Sequence, residues 1–322
     1  MLSKVTLDKT DLKVSQLCYG TNMLGTAVDQ AQANKILDRF VELGGNFLDT
    51  ARSYGDWVSD APCGASEGAI GAWLKERDRK NIVIATKGGF FDLRKRDWRN
   101  RVTPKDITSD LEQSLNQLGV DTIDLYWLHA DNPQAPVDPL IDMLIGHQKA
   151  GRIGHFGASN WSGQRITEAQ AYAKSIGHRG FVAVQPFWGL AAPNTEGAAA
   201  VGYGLYYEDG LRSMHEAGLT VVPYSGQSRG FFSKLALGEE GLRDDLKAMY
   251  LNDGNRARMK IVQRLAVKHD ASINDIVLAY LICQPHQTIP IIGAGHPEQI
   301  EDSVKAVGVK LSAQELAELR AG

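Results

Sequence analysis

The sequence predicts an α/β fold, a closed (β/α)8 TIM barrel formed by residues 1–322 as one domain. Two observations predict it. Eight short apolar runs alternate with amphipathic stretches along the 322 residues, which is the pattern of parallel βαβ units. Eight such units in a chain of this length match a closed barrel. A third observation argues against an open doubly wound sheet: the stretch after the first run, "YGTNMLG", lacks the GxGxxG spacing such a sheet would use to cradle a dinucleotide.

The predicted elements follow in order. "VTLDKTDLKV" reads as a hairpin turning between Asp8 and Asp11, placed to plug the barrel bottom. The strands are expected at 16–20, 46–49, 81–87, 122–129, 153–159, 181–185, 219–224 and 288–294. Helices are expected near 30–43, 67–78, 105–118, 138–150, 162–176, 205–217, 256–283 (as two helices) and 297–306. Extra helical material therefore gathers near the C-terminus, and a final helix starts after Ser312. Thr103 and Ser66 are expected as N-caps, since their hydroxyls can accept from free first-turn amides. "LGG", "LGV" and "AGL" place glycines at helix ends.

Composition narrows the class. At 43% hydrophobic and 23% charged the chain is an ordinary globular protein, which excludes disordered and fibrous readings. A net charge of −3 with no basic stripe gives no reason to expect a nucleic-acid partner. Cys18, Cys63 and Cys283 are odd in number and scattered, which points to a reducing compartment and away from a disulfide framework or a metal knuckle. No apolar run reaches 18 residues and no secretory pattern opens the sequence, so a cytoplasmic protein without membrane association is expected.

Polar residues finish the strands. Asp49 follows "NFL", Lys87 follows "IVIAT" and His129 follows "DLYWL"; Ser159 and Asn160 end the fifth run, Gln185 the sixth and Tyr224 the seventh. Singly, each reads as a turn residue or a solvated end. Together they line the C-terminal mouth, where barrel active sites form. Three long loops, 52–65, 88–102 and 186–204, overhang the same face.

The fragments "NFLDTARSYG", "IVIATKGG", "DLYWLHA", "GASNWS", "AVQPFW" and "PYSGQSRGFF", in this order, resemble the aldo-keto reductase superfamily across essentially the whole chain. The resemblance implies a catalytic set of Asp49, Tyr54, Lys87 and His129. A buried Asp49 needs a partner, and Lys87 is the expected one. The ammonium is expected to lower the Tyr54 phenol below its ordinary pKa, so that it exchanges a proton with a substrate oxygen. His129 would orient that oxygen.

The resemblance also implies a nicotinamide cofactor. Ser159, Asn160 and Gln185 would hold its carboxamide, Tyr224 would stack on its ring, and Gly20, Thr21 and Asn22 would line the ribose side, next to Asp49. Ser225, Gln227 and Ser228 lie in the loop expected over the pyrophosphate. Gly293, Gly295, His296, Gln299, Asp302 and Ser303 lie in the last loop and helix, where NADPH-preferring relatives carry Lys or Arg. NADP(H) is the family default; the missing guanidinium forks make NAD(H) the alternative.

Trp57 and Trp188, with Asp56, Asp60, Arg94, Arg96 and Asp131 nearby, suggest a small-molecule carbonyl substrate that is polyhydroxylated, such as a sugar or a sugar-derived ketone, rather than a steroid or a flat aromatic aldehyde. A non-catalytic, NADPH-binding redox-sensing module, like the β-subunits of channels, is the alternative in another class. The complete catalytic set favours an enzyme.

Overall fold

In the computed structural model of the chain, which describes all residues except 210, 211, 213 and 215–217, eight parallel strands form one sheet. They are β3 (Cys18–Gly20), β4 (Phe47–Asp49), β5 (Val83–Gly88), β6 (Ile123–Leu128), β7 (Ile153–Ser159), β8 (Ala183–Gln185), β9 (Thr220–Val221) and β10 (Ile291–Gly293). Their order is β10-β3-β4-β5-β6-β7-β8-β9. The two ends meet. Val221 N–H donates to the Gln287 carbonyl at 3.0 Å, and Ile289 and Ile291 N–H donate to Val221 and Pro223 at 2.8 and 2.9 Å. The sheet is therefore a closed barrel, with no exposed strand edge to manage.

Register sets the site. Gly20 stands opposite both Asp49 and Gly293, and Ser159 stands opposite Gln185. The polar strand ends thus come out level at one rim. Gly20 has a steric reason to be glycine: a Cβ there would lie 2.6 Å from the Ile291 side chain.

Two apolar layers hold the barrel. Inside, Cys18, Phe47, Ala85, Leu125, Trp127, Val182 and Val222 fill the lumen, with Leu7 and Val14 entering from below. Leu7 directly follows β1 (Lys4–Thr6) and Val14 lies in β2 (Lys13–Ser15), the two strands of the antiparallel hairpin expected as a plug. Outside, helix faces such as Ile36, Leu37 and Phe40, or Ile107 and Leu111, pack on the strands. Thr103 caps its helix by accepting from Asp106 N–H. Ser312 does the same for the last helix. The two extra helices near the C-terminus are Asp253–Lys268 and Ile273–Ile282. No described helix is long and apolar enough to cross a membrane.

Three expectations shift. The strand expected over 219–224 is laddered only at Thr220–Val221, because Pro223 has no N–H to give. Ser66 is not an N-cap. The helix begins at Ala65 after a left-handed Gly64, and the Ser66 hydroxyl donates to the Thr21 carbonyl at 2.8 Å. The helix expected over 205–217 falls partly outside the described residues; Tyr207–Asp209 is a 3-10 turn.

Asn46 joins plug to barrel. Its side-chain Oδ1 accepts from Ser15 N–H at 2.7 Å and its Nδ2 donates to the Lys13 carbonyl at 2.8 Å. Asn46→Ala strands the buried Ser15 N–H and the part-buried Lys13 carbonyl, at a cost of about 1–3 kcal/mol. Urea unfolding of the two proteins checks this; equal midpoints would show that these two bonds do not hold the plug.

Candidate active site

Asp49, Thr50, Arg52 and Tyr54 leave β4 in one turn, and Lys87 ends β5 beside it. Lys87 Nζ donates to Asp49 Oδ2 at 2.5 Å, to the Thr50 carbonyl at 2.8 Å and to Tyr54 Oη at 2.9 Å. Three acceptors around one nitrogen call for an ammonium. Asp49 is 2% exposed and Lys87 1%. Burial pushes the Asp49 carboxyl up, opposed by Lys87 and by the Gln185 amide, which donates to Asp49 Oδ1 at 2.8 Å. Burial works against the Lys87 charge, but Asp49 and Tyr54 outweigh it and raise its pKa.

The Tyr54 phenol departs from expectation. Burial pushes it above its ordinary value of 10, with Lys87 pulling it back and Asp49 adding to the rise. It is protonated at neutral pH, restrained from rising further by the ammonium. His129 lies beside it, ring centroids 5.9 Å apart, and is stacked on Phe90 at 4.4 Å. Burial, then the Lys87 and Arg52 charges, hold His129 well below its ordinary value, so it is neutral. Its Nδ1 is buried without a hydrogen-bond partner in the protein.

Next to this set lies a row of uncharged donors and acceptors. Ser159 Oγ donates to the Gln185 carbonyl at 2.9 Å. Asn160 Nδ2 donates to the His129 carbonyl at 3.0 Å, and Asn160 Oδ1 accepts from Tyr224 Oη at 2.9 Å. Tyr224 is stacked on Phe187 at 5.6 Å. Amides, hydroxyls and an aromatic ring in one place suit a neutral carboxamide on a flat ring. Asn160, Ser225, Ser228 and Arg229 all have left-handed backbones, and strain gathered this way is typical of ligand sites.

Several expected cofactor residues have spent their side chains inside the protein. Thr21 is fully buried, and its hydroxyl donates to the Asp49 carbonyl at 2.9 Å. Gln227 accepts from Gly293 N–H at 3.0 Å and donates to Asn274 and Ser303, at 3.1 and 3.2 Å. Ser303 is buried and donates to the Gln299 carbonyl at 2.8 Å. Gln299 Oε1 accepts from Gly295 N–H at 2.7 Å and from His296 N–H at 3.3 Å. Asn22 is exposed, Ser225 Oγ donates to Tyr203 Oη at 3.2 Å, and Asp302 pairs with Lys305 at 2.7 Å.

Trp57, 51% exposed, meets Tyr54 edge-on at 5.9 Å, as expected of a residue at the mouth. Trp188 does not. It is fully buried, packed on Tyr207 at 4.4 Å, with its indole N–H given to Glu208 at 3.1 Å, so no face is left for a substrate. Asp56 pairs with Arg52 at 3.0 Å and Arg94 at 2.9 Å, and Asp131 pairs with Arg165 at 3.2 Å. Neither carboxylate is a ready acceptor for substrate hydroxyls. Asp60 and Arg96 are exposed.

Sequence reasoning missed a buried polar layer under the loops. Arg52 reaches Asp56 and Asp110. Asp110 also takes Arg101 at 2.7 Å and Gly89 N–H at 2.9 Å. Glu67, fully buried, accepts from the Thr86 hydroxyl at 2.5 Å. The i, i+4 spacing of Arg52 and Asp56 was the one local signal for this layer.

The sequence model of the aldo/keto reductase family matches residues 16–321. The chain belongs to that family, and its class of chemistry is redox interconversion of carbonyls and alcohols. An uncharacterized oxidoreductase, YrpG, of Bacillus subtilis is 29% identical over 316 residues, 95% of this chain and 91% of the relative. Norsolorinic acid reductase B of Dothistroma septosporum is 27% identical over 96% of this chain and 78% of its own. An aryl-alcohol dehydrogenase of Pestalotiopsis microspora is 23% identical over 97% and 79%.

Burial lifts the Glu67 carboxyl to about 7, opposed by its hydrogen bonds and by Arg52. A carboxyl raised on folding favours the protonated native state, so its contribution is complete below about 4.5 and fades as pH rises through about 7. Glu67→Gln should therefore flatten the fall of stability between these values and leave the variant more stable than the parent above the upper one. Urea titrations across this range check it; parallel curves would contradict it.

Proposed function

We propose that the protein is an NAD(P)(H)-dependent oxidoreductase, acting as one barrel domain, in which Tyr54 exchanges the proton on the substrate oxygen. The observation that carries the reading is the Tyr54 hydroxyl held 2.9 Å from an ammonium that is itself locked to Asp49, with neutral His129 alongside.

The polar row of Ser159, Asn160 and Gln185, with Tyr224, supports nicotinamide binding at the rim through the hydrogen-bonding capacity left after their bonds to the Gln185 carbonyl, the His129 carbonyl and Asp49. Gly20, Asn22, Gly293, Gly295 and the left-handed stretch around Ser225–Arg229 support the rest of the dinucleotide, through backbone rather than side chains. Thr21, Gln227, Gln299 and Ser303 brace that surface from behind. When bound, a reduced nicotinamide supplies a hydride to the carbonyl carbon.

The chain's own residues manage the proton. Tyr54 stays protonated through neutral pH and gives its proton to the developing alkoxide. Lys87 stabilises the phenolate left behind, and Asp49 keeps Lys87 charged and in place. His129, neutral, offers one ring N–H to the same oxygen. In the oxidative direction Tyr54 must first lose its proton, so turnover rises with pH.

The mouth supports an aromatic carbonyl substrate over a sugar. Asp56, Asp131 and Arg94 are tied up in ion pairs, whereas Trp57, Phe90 and His129 present ring surface. Among the relatives, one is named for aryl alcohols.

Tyr54→Phe should lower kcat by about 10²-fold or more, the lower range for general acid catalysis, with nucleotide affinity unchanged. Steady-state kinetics with 4-nitrobenzaldehyde and a fluorescence titration with NADPH check it. Near-parental turnover would remove Tyr54 from the mechanism.

His296 Nδ1 lies 3.1 Å from Gln32, and Lys305 is paired with Asp302, which supports use of both NADH and NADPH. His296→Arg, which leaves the Gln299 brace in place, should shift preference toward NADPH by about tenfold, the effect of one charge-assisted contact. Dissociation constants of both nucleotides decide it; a parental preference already near a thousandfold would contradict it.

A further inference from the structure

Beyond His129 the aromatic surface continues outward. Phe90 is stacked on His129 at 4.4 Å, Phe91 meets Phe90 edge-on at 5.2 Å, and Trp98 meets Phe91 edge-on at 6.0 Å. Trp98 is 63% exposed. A large aromatic left in water forfeits its burial energy.

The loop that carries Trp98 is not free. Arg94, four residues before Trp98, donates to Asp56 on the neighbouring loop at 2.9 Å and also to the Ala61 carbonyl. Arg101 holds Asp110 at 2.7 Å and the Phe90 carbonyl at 3.0 Å. Asn100 donates to the Asp131 carbonyl at 2.9 Å, and Arg99 takes Asp106 with both terminal nitrogens at 3.0 Å. Bonds from Arg94, Arg99, Asn100 and Arg101 therefore flank Trp98. Arg94 also ties this loop to the one carrying Trp57, which fixes the two aromatic walls relative to each other.

We propose that Phe91 and Trp98 form an outer subsite that selects carbonyl compounds carrying fused aromatic rings. The inference rests on the reading of Tyr54 and His129 as the reacting end of the site. Phe90 and Trp57 suffice to flank a small aldehyde. Phe91 and Trp98 lie farther along the same row and gain contact only from a planar ligand that extends past Phe90. Offset and edge-to-face contacts between such rings are favourable. The braced loop presents them without an ordering cost on binding.

The test compares the parent, Trp98→Ala and Trp98→Phe with two aldehydes, pyrene-1-carboxaldehyde and butanal, under saturating NADPH. Binding of the alcohol 1-pyrenemethanol to the protein without nucleotide is followed by fluorescence anisotropy. In Trp98→Ala, KM for the pyrene aldehyde should rise about tenfold and affinity for the alcohol should fall by the same factor, the scale of one good aromatic contact. Its kcat should hold, Trp98→Phe should recover most of the loss, and kcat/KM for butanal should be unchanged. Equal losses on both aldehydes, or no loss on the pyrene compound, would overturn the subsite. If the parent reduces neither aldehyde, the oxidoreductase reading fails separately. Anisotropy then decides the subsite alone, and equal affinity in parent and Trp98→Ala overturns it.

Discussion

The buried Asp49–Lys87 ion pair is the constraint from which the rest of the site follows. Two charges so nearly removed from water are costly, and their attraction compensates only when every remaining donor and acceptor is satisfied. Here Lys87 spends its three donors on Asp49, Thr50 and Tyr54, and Gln185 covers the other Asp49 oxygen. Gln185 comes from β8, across the lumen. The pair therefore requires a closed barrel that brings β4, β5 and β8 to one level. Removing either partner would leave a lone buried charge, a loss of about 3–5 kcal/mol.

The same demand for partners explains the second layer. Arg52 follows Asp49 by three residues, and its own N–H is given to the Lys87 carbonyl at 3.1 Å. Its guanidinium then anchors the Tyr54 loop to Asp56 and Asp110, while Arg101 anchors the Phe90 loop to the same Asp110. Tyr54 and the aromatic walls are held by one continuous set of buried charges. This links the position of Tyr54 to the shape of the substrate mouth. It also bears on His129, whose neutrality owes part of its cause to Lys87 and Arg52.

Much of this was legible in the sequence, because the barrel writes itself in short apolar runs and six successive runs, the second to the seventh, end in a polar residue. The eight strands, the plug hairpin, the Thr103 and Ser312 caps and the clustering of Asp49, Tyr54, Lys87 and His129 all followed from local pattern or resemblance. What was not legible is how distant polar groups pair. Ser66 looked like a cap because the chain shows only its neighbours; the Thr21 carbonyl that claims its hydroxyl is 45 positions away. Gln227 was placed in the loop over the pyrophosphate, and nothing in the sequence signalled that its side-chain amide would donate to Ser303, 76 positions on. Trp188 looked like a loop aromatic until Tyr207 and Glu208 drew it into the core. The Tyr54 pKa was misjudged because the sequence names the cation but not the depth of burial that outweighs it.

The central claim is that Lys87 sets the proton affinity of Tyr54, and the most direct measurement is the pH dependence of kcat for alcohol oxidation in the parent and in Lys87→Met. In the parent the rate should climb with pH as the coupled Tyr54, Lys87 and Asp49 set releases a proton. In the variant that limb should move to higher pH, with a rate near neutrality lower by about 10²-fold or more, while nucleotide binding persists. A limb at the same pH in both proteins would contradict the account.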